Sequence, residues 1–212
     1  MLILLLACAD PERGSLDTAE VYAVGDSVLE WHLGDGSIPE VAGETLGKSV
    51  YNAAVGGTHI LDGEGEPIPG QYTDGGWQWL IVDGGANDVN DRCGCEDCDE
   101  VLDEILSEDG SAGVLADFAS DVADSGTSVL IMGYYGIPEG AEFGFDRCGE
   151  ELEVLSARQA ALAGTHDSIH FADVREVVDG TDPAMFDSDL VHPSIEGSAV
   201  VGQFLAETIQ GL

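Results

Sequence analysis

Val21-Tyr22-Ala23-Val24-Gly25-Asp26-Ser27 decides the reading of this chain. Four apolar residues, with a valine at each end, run directly into Gly-Asp-Ser, which predicts a short buried strand that stops in a sharp turn. Comparable apolar runs follow at residues 49–55, 78–83, 128–133 and 168–173, bounded by Gly, Asp or Ser. Between them lie segments with helical spacing, at about residues 39–46, 100–106, 112–123, 150–163 and 195–209. Strands alternating with helices imply an α/β fold with a parallel sheet covered on both faces. In such a sheet the ligand site lies outside the carboxyl ends of the strands, which is where Ser27 falls.

A hydroxyl at the point where a strand turns into a helix suits a nucleophile. The tripeptide alone is usually a turn or a helix cap, in which Ser27 bonds a nearby backbone N–H. Near the other terminus, Asp189-Leu190-Val191-His192-Pro193 lies in a loop just before the last predicted helix. A serine hydroxyl needs a base to take its proton, and the base needs a carboxylate to fix its tautomer. One short loop could supply both, or Asp189 and His192 could serve only local backbone groups. Two further segments follow the second and third strands. Asn52-Ala53-Ala54-Val55-Gly56-Gly57-Thr58 offers a backbone N–H unobstructed by a side chain, and Gly85-Ala86-Asn87-Asp88 offers a side-chain amide. Acyl transfer develops negative charge on a carbonyl oxygen, where each preorganised donor is worth about 3–4 kcal/mol. Taken singly, both segments read as tight turns.

Together and in this order, Gly25-Asp26-Ser27, Gly57, Gly85-x-Asn87-Asp88 and Asp189-x-x-His192 resemble the four sequence blocks of the SGNH (GDSL-like) hydrolase superfamily, over nearly all of residues 19–212. The resemblance implies a flavodoxin-like three-layer α/β/α sandwich around a central parallel sheet of about five strands. It implies Ser27 as nucleophile, His192 as base and Asp189 as its orienter. The N–H groups of Ser27 and Gly57 and the amide of Asn87 would form the oxyanion hole, with no metal or organic cofactor. The expected activity is hydrolysis of carboxylic esters. Short acyl or acetyl groups are favoured because no insertion is large enough for a lid, and the substrate would be a small ester or an acylated glycan. An O-acyltransferase of the same fold and a non-catalytic glycan-binding surface lipoprotein are the alternatives.

The chain also departs from the family. Val28-Leu29-Glu30-Trp31-His32 follows the serine where a small polar residue and a glycine are usual, so a bulkier pocket wall is expected. Gly56 competes with Gly57 as donor, and Gly57 is preferred by counting from Asn52. Asp26 and Asp88 are expected to hold loops, and His59 to be an exposed loop residue. Of Tyr72, Trp77, Tyr134, Tyr135, Phe143 and Phe145, two or three at most are expected at the site.

Composition bounds the partners. The 212 residues, 44% of them hydrophobic, suffice for one full core. Six Lys and Arg against 42 Asp and Glu give a net charge of −36, and Lys48 is the only lysine. Such a surface repels nucleic acid. It also repels itself at low ionic strength and is relieved by counter-ions, which points to a saline or marine habitat, the alternative being an acidic solvated surface without a salt requirement; a monomer is expected. Residues 1–8, Met-Leu-Ile-Leu-Leu-Leu-Ala-Cys, are apolar but too short to span a bilayer. They look like the end of an export signal, with Leu5-Leu6-Ala7-Cys8 resembling a lipobox whose lipidated Cys8 would tether the protein to a membrane. Residues 1–18 are accordingly set apart as signal and tether, and residues 19–212 form the hydrolase domain. That domain is placed outside the cytoplasm, secreted or lipid-anchored at the bacterial envelope. Cys93, Cys95, Cys98 and Cys148 remain, an even number that favours two disulfides in an exported chain, with three connectivities open. Zinc is the other use of such a cluster, but a second close pair is lacking. Since both cysteine groups follow strands, at least one bridge is expected to join their loops and brace one wall of the pocket.

Overall fold

A computed structural model describes residues 11–62 and 65–212. Cys8, the expected signal and the lipobox lie outside the described residues. Five strands, β1 (Val21–Val24), β2 (Val50–Asn52), β3 (Trp79–Val82), β4 (Ser128–Met132) and β5 (Ile169–Ala172), pair in parallel in the order β2-β1-β3-β4-β5. They coincide with the five predicted runs. This is the flavodoxin-like order, in which the chain reverses direction across the sheet between β1 and β3. Ala23 faces Asn52 of β2 and Ile81 of β3, so the three carboxyl ends are level. The segments after them therefore open on one edge.

Burial on both faces explains the unbroken apolar strands. Val21, Ala23, Val24, Leu80, Ile81, Val82 and residues 129–132 are all buried, and each Val, Leu or Ile so placed contributes about 1.5–3 kcal/mol. Helices α1 (Ser27–Glu30), α2 (Ile38–Leu46), α3 (Ala86–Cys93), α4 (Asp99–Ile105), α5 (Val114–Asp124), α6 (Gly149–Ala163) and α7 (Ile195–Gln210) form the outer layers. Right-handed crossovers in opposite directions place α2 and α3–α6 on opposite faces. The closing helix α7 packs on α2. Among the described residues, no helix is long and apolar enough to cross a membrane.

Within the segment expected as a tether, Arg13 and Gly14 touch the sheet, while residues 15–18 are exposed. Gly14 makes an antiparallel bridge to Tyr51, and Arg13 Nη1 donates to the carbonyls of Asn52 (3.0 Å) and Ala54 (2.9 Å). β2 is an edge strand, and its unpaired backbone groups recruit this cover.

Candidate active site

The end of β1 is fastened on two sides. Gln71 pairs with Gly25 as a neighbouring strand would, its Oε1 accepting the Gly25 N–H (2.8 Å) and its Nε2 donating to the Gly25 carbonyl (3.0 Å). On the other side the Asp26 N–H donates to Asp83 Oδ1 (2.8 Å). A Cβ on residue 25 would come within 1.9 Å of that oxygen, so only glycine fits beside the buried carboxylate. Asp26 then caps α1, accepting the Val28 N–H (2.9 Å), while its other oxygen accepts the Tyr134 hydroxyl (2.6 Å). These contacts hold Ser27 at the first position of α1. Asp26 thus supports the loop, and Asp88 does likewise, accepting the N–H groups of Ile60 (2.8 Å) and Leu61 (3.0 Å).

His192 reaches Ser27 from the far end of the chain. Its Nε2 lies 2.8 Å from Ser27 Oγ, and its Nδ1 lies 2.7 Å from Asp189 Oδ2. An ionised carboxylate only accepts, so Nδ1 carries the proton and the Nε2 lone pair accepts the serine O–H. The loop is built to hold this geometry. Asp189 Oδ1 accepts the backbone N–H groups of Val191 and His192 (both 2.9 Å), the Asp187 N–H closes onto the His192 carbonyl (2.8 Å), and the Tyr135 hydroxyl donates to the Val191 carbonyl (2.6 Å). Ser194 Oγ then accepts the Gly197 N–H (3.0 Å) and starts α7. Burial pushes the Asp189 carboxyl up, but the hydrogen bonds from the His192 ring, the His192 N–H and the Val191 N–H outweigh it. Its pKa falls below the ordinary carboxylate value.

Gly57 occupies the third position of a turn closed by the Thr58 N–H on the Val55 carbonyl, and its φ of 75° is the left-handed value that favours glycine. Its N–H has no acceptor among the described residues, whereas the Gly56 N–H is taken by Glu30 Oε2 (2.7 Å). Asn87 Nδ2 donates to the Thr58 carbonyl (2.9 Å), which fixes the amide and leaves its second hydrogen free to donate. Asn87 and Asp88 lie within α3, not in the tight turn their sequence suggests. His59 also differs from expectation: its side chain is 14% exposed and its Nε2 pairs with Asp91 (3.1 Å).

The bulky segment after the serine has a definite place. Trp31 lies flat on the His192 imidazole, with ring centroids 3.9 Å apart and planes 8° from parallel, and its Nε1 donates to Asp187 (2.7 Å). Ser27 lines a cavity of about 20 Å³ together with Val28, Asn87, Tyr134, Tyr135, Phe145 and Leu152, among others. Phe143 stands at the rim, 6.5 Å from the His192 ring. Four of the six loop aromatics are therefore at the site, against the two or three expected, while Tyr72 and Trp77 pack on Tyr22 (5.6 and 5.0 Å). The four cysteines pair as Cys93–Cys98 and Cys95–Cys148. The second bridge joins the end of α3 to the start of α6, and in the loop-entropy account a closure of this length contributes about 4 kcal/mol.

Asp83 and Asp26 are both buried, and Asp83 Oδ2 has no hydrogen-bond partner among the described residues. Burial, and then the charge of Asp26 beside it, push the Asp83 carboxyl well above the ordinary range. Burial also raises Asp26, against hydrogen bonds from Tyr134 and Val28. A carboxyl whose folded pKa is raised contributes stability that is complete below the unfolded value of about 3.9 and is lost as pH rises through the folded value. Asp83→Asn keeps an acceptor for the Asp26 N–H and cannot ionise. Its melting temperature is expected to fall less than that of the wild type between pH 5 and pH 8; equal falls would mean that Asp83 does not hold a proton in the fold.

The sequence pattern of the GDSL-like lipase/acylhydrolase family matches residues 23–200. No curated protein sequence matches the chain significantly. Among solved structures, the chain is similar to a catalytic mutant of an acetylxylan esterase from Geobacillus stearothermophilus (19% identity, 90% of this chain and 94% of that one, TM-score 0.65). It is also similar to a lipase/acylhydrolase from Enterococcus faecalis (16%, 90% and 95%, TM-score 0.66). A third is a carbohydrate acetylesterase from Sinorhizobium meliloti (12%, 90% and 98%, TM-score 0.64). At these identities the likeness is one of fold.

Proposed function

This chain belongs to the GDSL-like lipase/acylhydrolase family, and from that premise we propose that it is a serine esterase that removes acetyl groups from uncharged substrates, acetylated glycans among them, by way of Ser27, His192 and Asp189. The family makes it a carboxylic ester hydrolase. The observation that carries the finer reading is the unbroken chain Ser27 Oγ–His192 Nε2 (2.8 Å) and His192 Nδ1–Asp189 Oδ2 (2.7 Å) at the carboxyl edge of the sheet.

In this mechanism Ser27 Oγ attacks the ester carbonyl as its proton passes to His192 Nε2. The carbonyl oxygen takes the negative charge and is met by the Ser27 N–H, the Gly57 N–H and the free hydrogen of Asn87 Nδ2. The tetrahedral intermediate collapses, His192 returns its proton to the departing alcohol, and the acetyl group remains on Ser27. Water, activated by the same imidazole, releases acetate and restores the serine. The size of the cavity supports a two-carbon acyl group: about 20 Å³ is little more than one water-sized space. Likeness to an acetylxylan esterase and a carbohydrate acetylesterase supports acetylated glycans, and a surface of net charge −36 disfavours anionic ones. Two disulfides support work outside the cytoplasm.

Turnover of p-nitrophenyl acetate, butyrate and octanoate, with phosphonate labelling followed by peptide mapping, tests this reading. The label is expected on Ser27, and kcat/KM for butyrate at least about tenfold below that for acetate. A label elsewhere would remove Ser27 from the mechanism, and an octanoate rate equal to that for acetate would remove the acetyl preference.

A further inference from the structure

With the acetyl group assigned above to the cavity that Ser27 and Asn87 line, the alcohol half of the ester extends away from that cavity. It must pass His192, which returns the proton to it. Phe143 stands at that place, its ring centroid 6.5 Å from that of His192. It is 65% exposed, an unusual position for a phenylalanine, and its φ of 59° and ψ of 13° are left-handed, a conformation that bulky residues rarely adopt.

The surroundings hold this conformation in place. Asn90 Nδ2 donates to the Phe143 carbonyl (3.2 Å), the preceding Glu142 N–H donates to the Asp189 carbonyl (2.9 Å), and Cys148, five residues on, is bonded to Cys95. The loop that carries the exposed ring is thus tied to α3 on one side and to the Asp189–His192 loop on the other. Here Val55 (42% exposed) and Ile195 (51%) add apolar surface in the segments that lead into Gly57 and follow His192. The rest of the surface is strongly acidic.

We propose that Phe143 is the platform of an alcohol-side subsite and that it stacks on the apolar C–H face of an uncharged sugar ring carrying the acetyl group. This rests on the assignment of Ser27 and His192 above. An aromatic face gives a large contact area at small entropic cost, and a neutral sugar is the partner that suits an apolar face within an anionic field. The contact holds the sugar ring in the site, so it affects which esters are bound and not the bond-breaking step.

The test compares methyl tri-O-acetyl-β-xyloside with ethyl acetate, which has the same acyl group and no ring. In Phe143→Ala the ratio of kcat/KM for the xyloside to that for ethyl acetate is expected to fall about tenfold through KM, and in Phe143→Trp to return to the wild-type value or above. Taking the ratio cancels any general loosening of the loop. An unchanged ratio in Phe143→Ala overturns the subsite, as does a wild type that hydrolyses ethyl acetate but not the xyloside; in both cases the esterase reading stands. A wild type that hydrolyses neither, with no phosphonate label on Ser27, overturns that reading as well.

Discussion

Ser27→Ala is expected to lower kcat for p-nitrophenyl acetate by about 10⁶-fold, with KM little changed. Loss of the nucleophile in a working triad has an effect of this size, because the remaining members have nothing to activate. The variant keeps the Gly57 N–H and the Asn87 amide, so a residual rate of about 10³–10⁴ over water is expected from the oxyanion donors and binding. The fold should be unaffected. α1 is capped by Asp26 and the end of β1 is held by Gln71 and Asp83, none of which involves the Ser27 hydroxyl. Circular dichroism and melting temperature close to wild type, with activity at the residual level, are the expected pair of results. An alanine variant with wild-type turnover would mean that another residue performs the attack.

The sheet and the principal candidates were legible in sequence because each leaves a local mark. Parallel strands buried on both faces are short apolar runs, and the segments that end them carry Gly, Asn and Asp. Placement after the strands, together with an order that resembles the four SGNH blocks, is what selected Ser27, Gly57 and Asn87 from otherwise ordinary turns, and the three-residue interval brought Asp189 and His192 together. What supports them was not legible, because it joins distant parts of the chain without any periodic pattern. Gln71 acts on Gly25 across 46 residues, and Tyr134 acts on Asp26 across 108. α3 escaped notice because Ala-Asn-Asp-Val-Asn-Asp-Arg-Cys is mostly polar, with little beyond Ala86, Asp88 and Val89 to bury. Trp31 could be read as bulk beside the serine, but its flat stacking on an imidazole 161 residues away appears only in the folded chain. The covering of β2 by Arg13 and Gly14 is hidden for the same reason: the segment resembles a polar linker, and what fixes it is the unpaired edge it meets.

Asp189→Asn should cost about 10⁴-fold in kcat, again with KM nearly constant. The replacement is almost isosteric, and the asparagine oxygen can still accept the N–H groups of Val191 and His192, so the loop is expected to keep its shape. The amide nitrogen, however, then faces His192 Nδ1 at the position from which Oδ2 accepts its proton. Two donors cannot share that contact. The imidazole is driven to the tautomer with an unprotonated Nδ1 and a protonated Nε2, which offers Ser27 a hydrogen where a lone pair is required. Trp31 does not prevent this, because flat stacking holds the plane of the ring without distinguishing its two nitrogens. Since hydrogen bonding keeps the wild-type Asp189 below the ordinary carboxylate pKa, it is ionised throughout the neutral range and the comparison can be made at any pH there. The downfield proton resonance of the imidazole Nδ1–H should disappear in the variant while phosphonate labelling of Ser27 slows in step with kcat. If the asparagine variant instead kept kcat within tenfold of the wild type, tautomer control would not come from Asp189, whereas the assignment of Ser27 as nucleophile would stand.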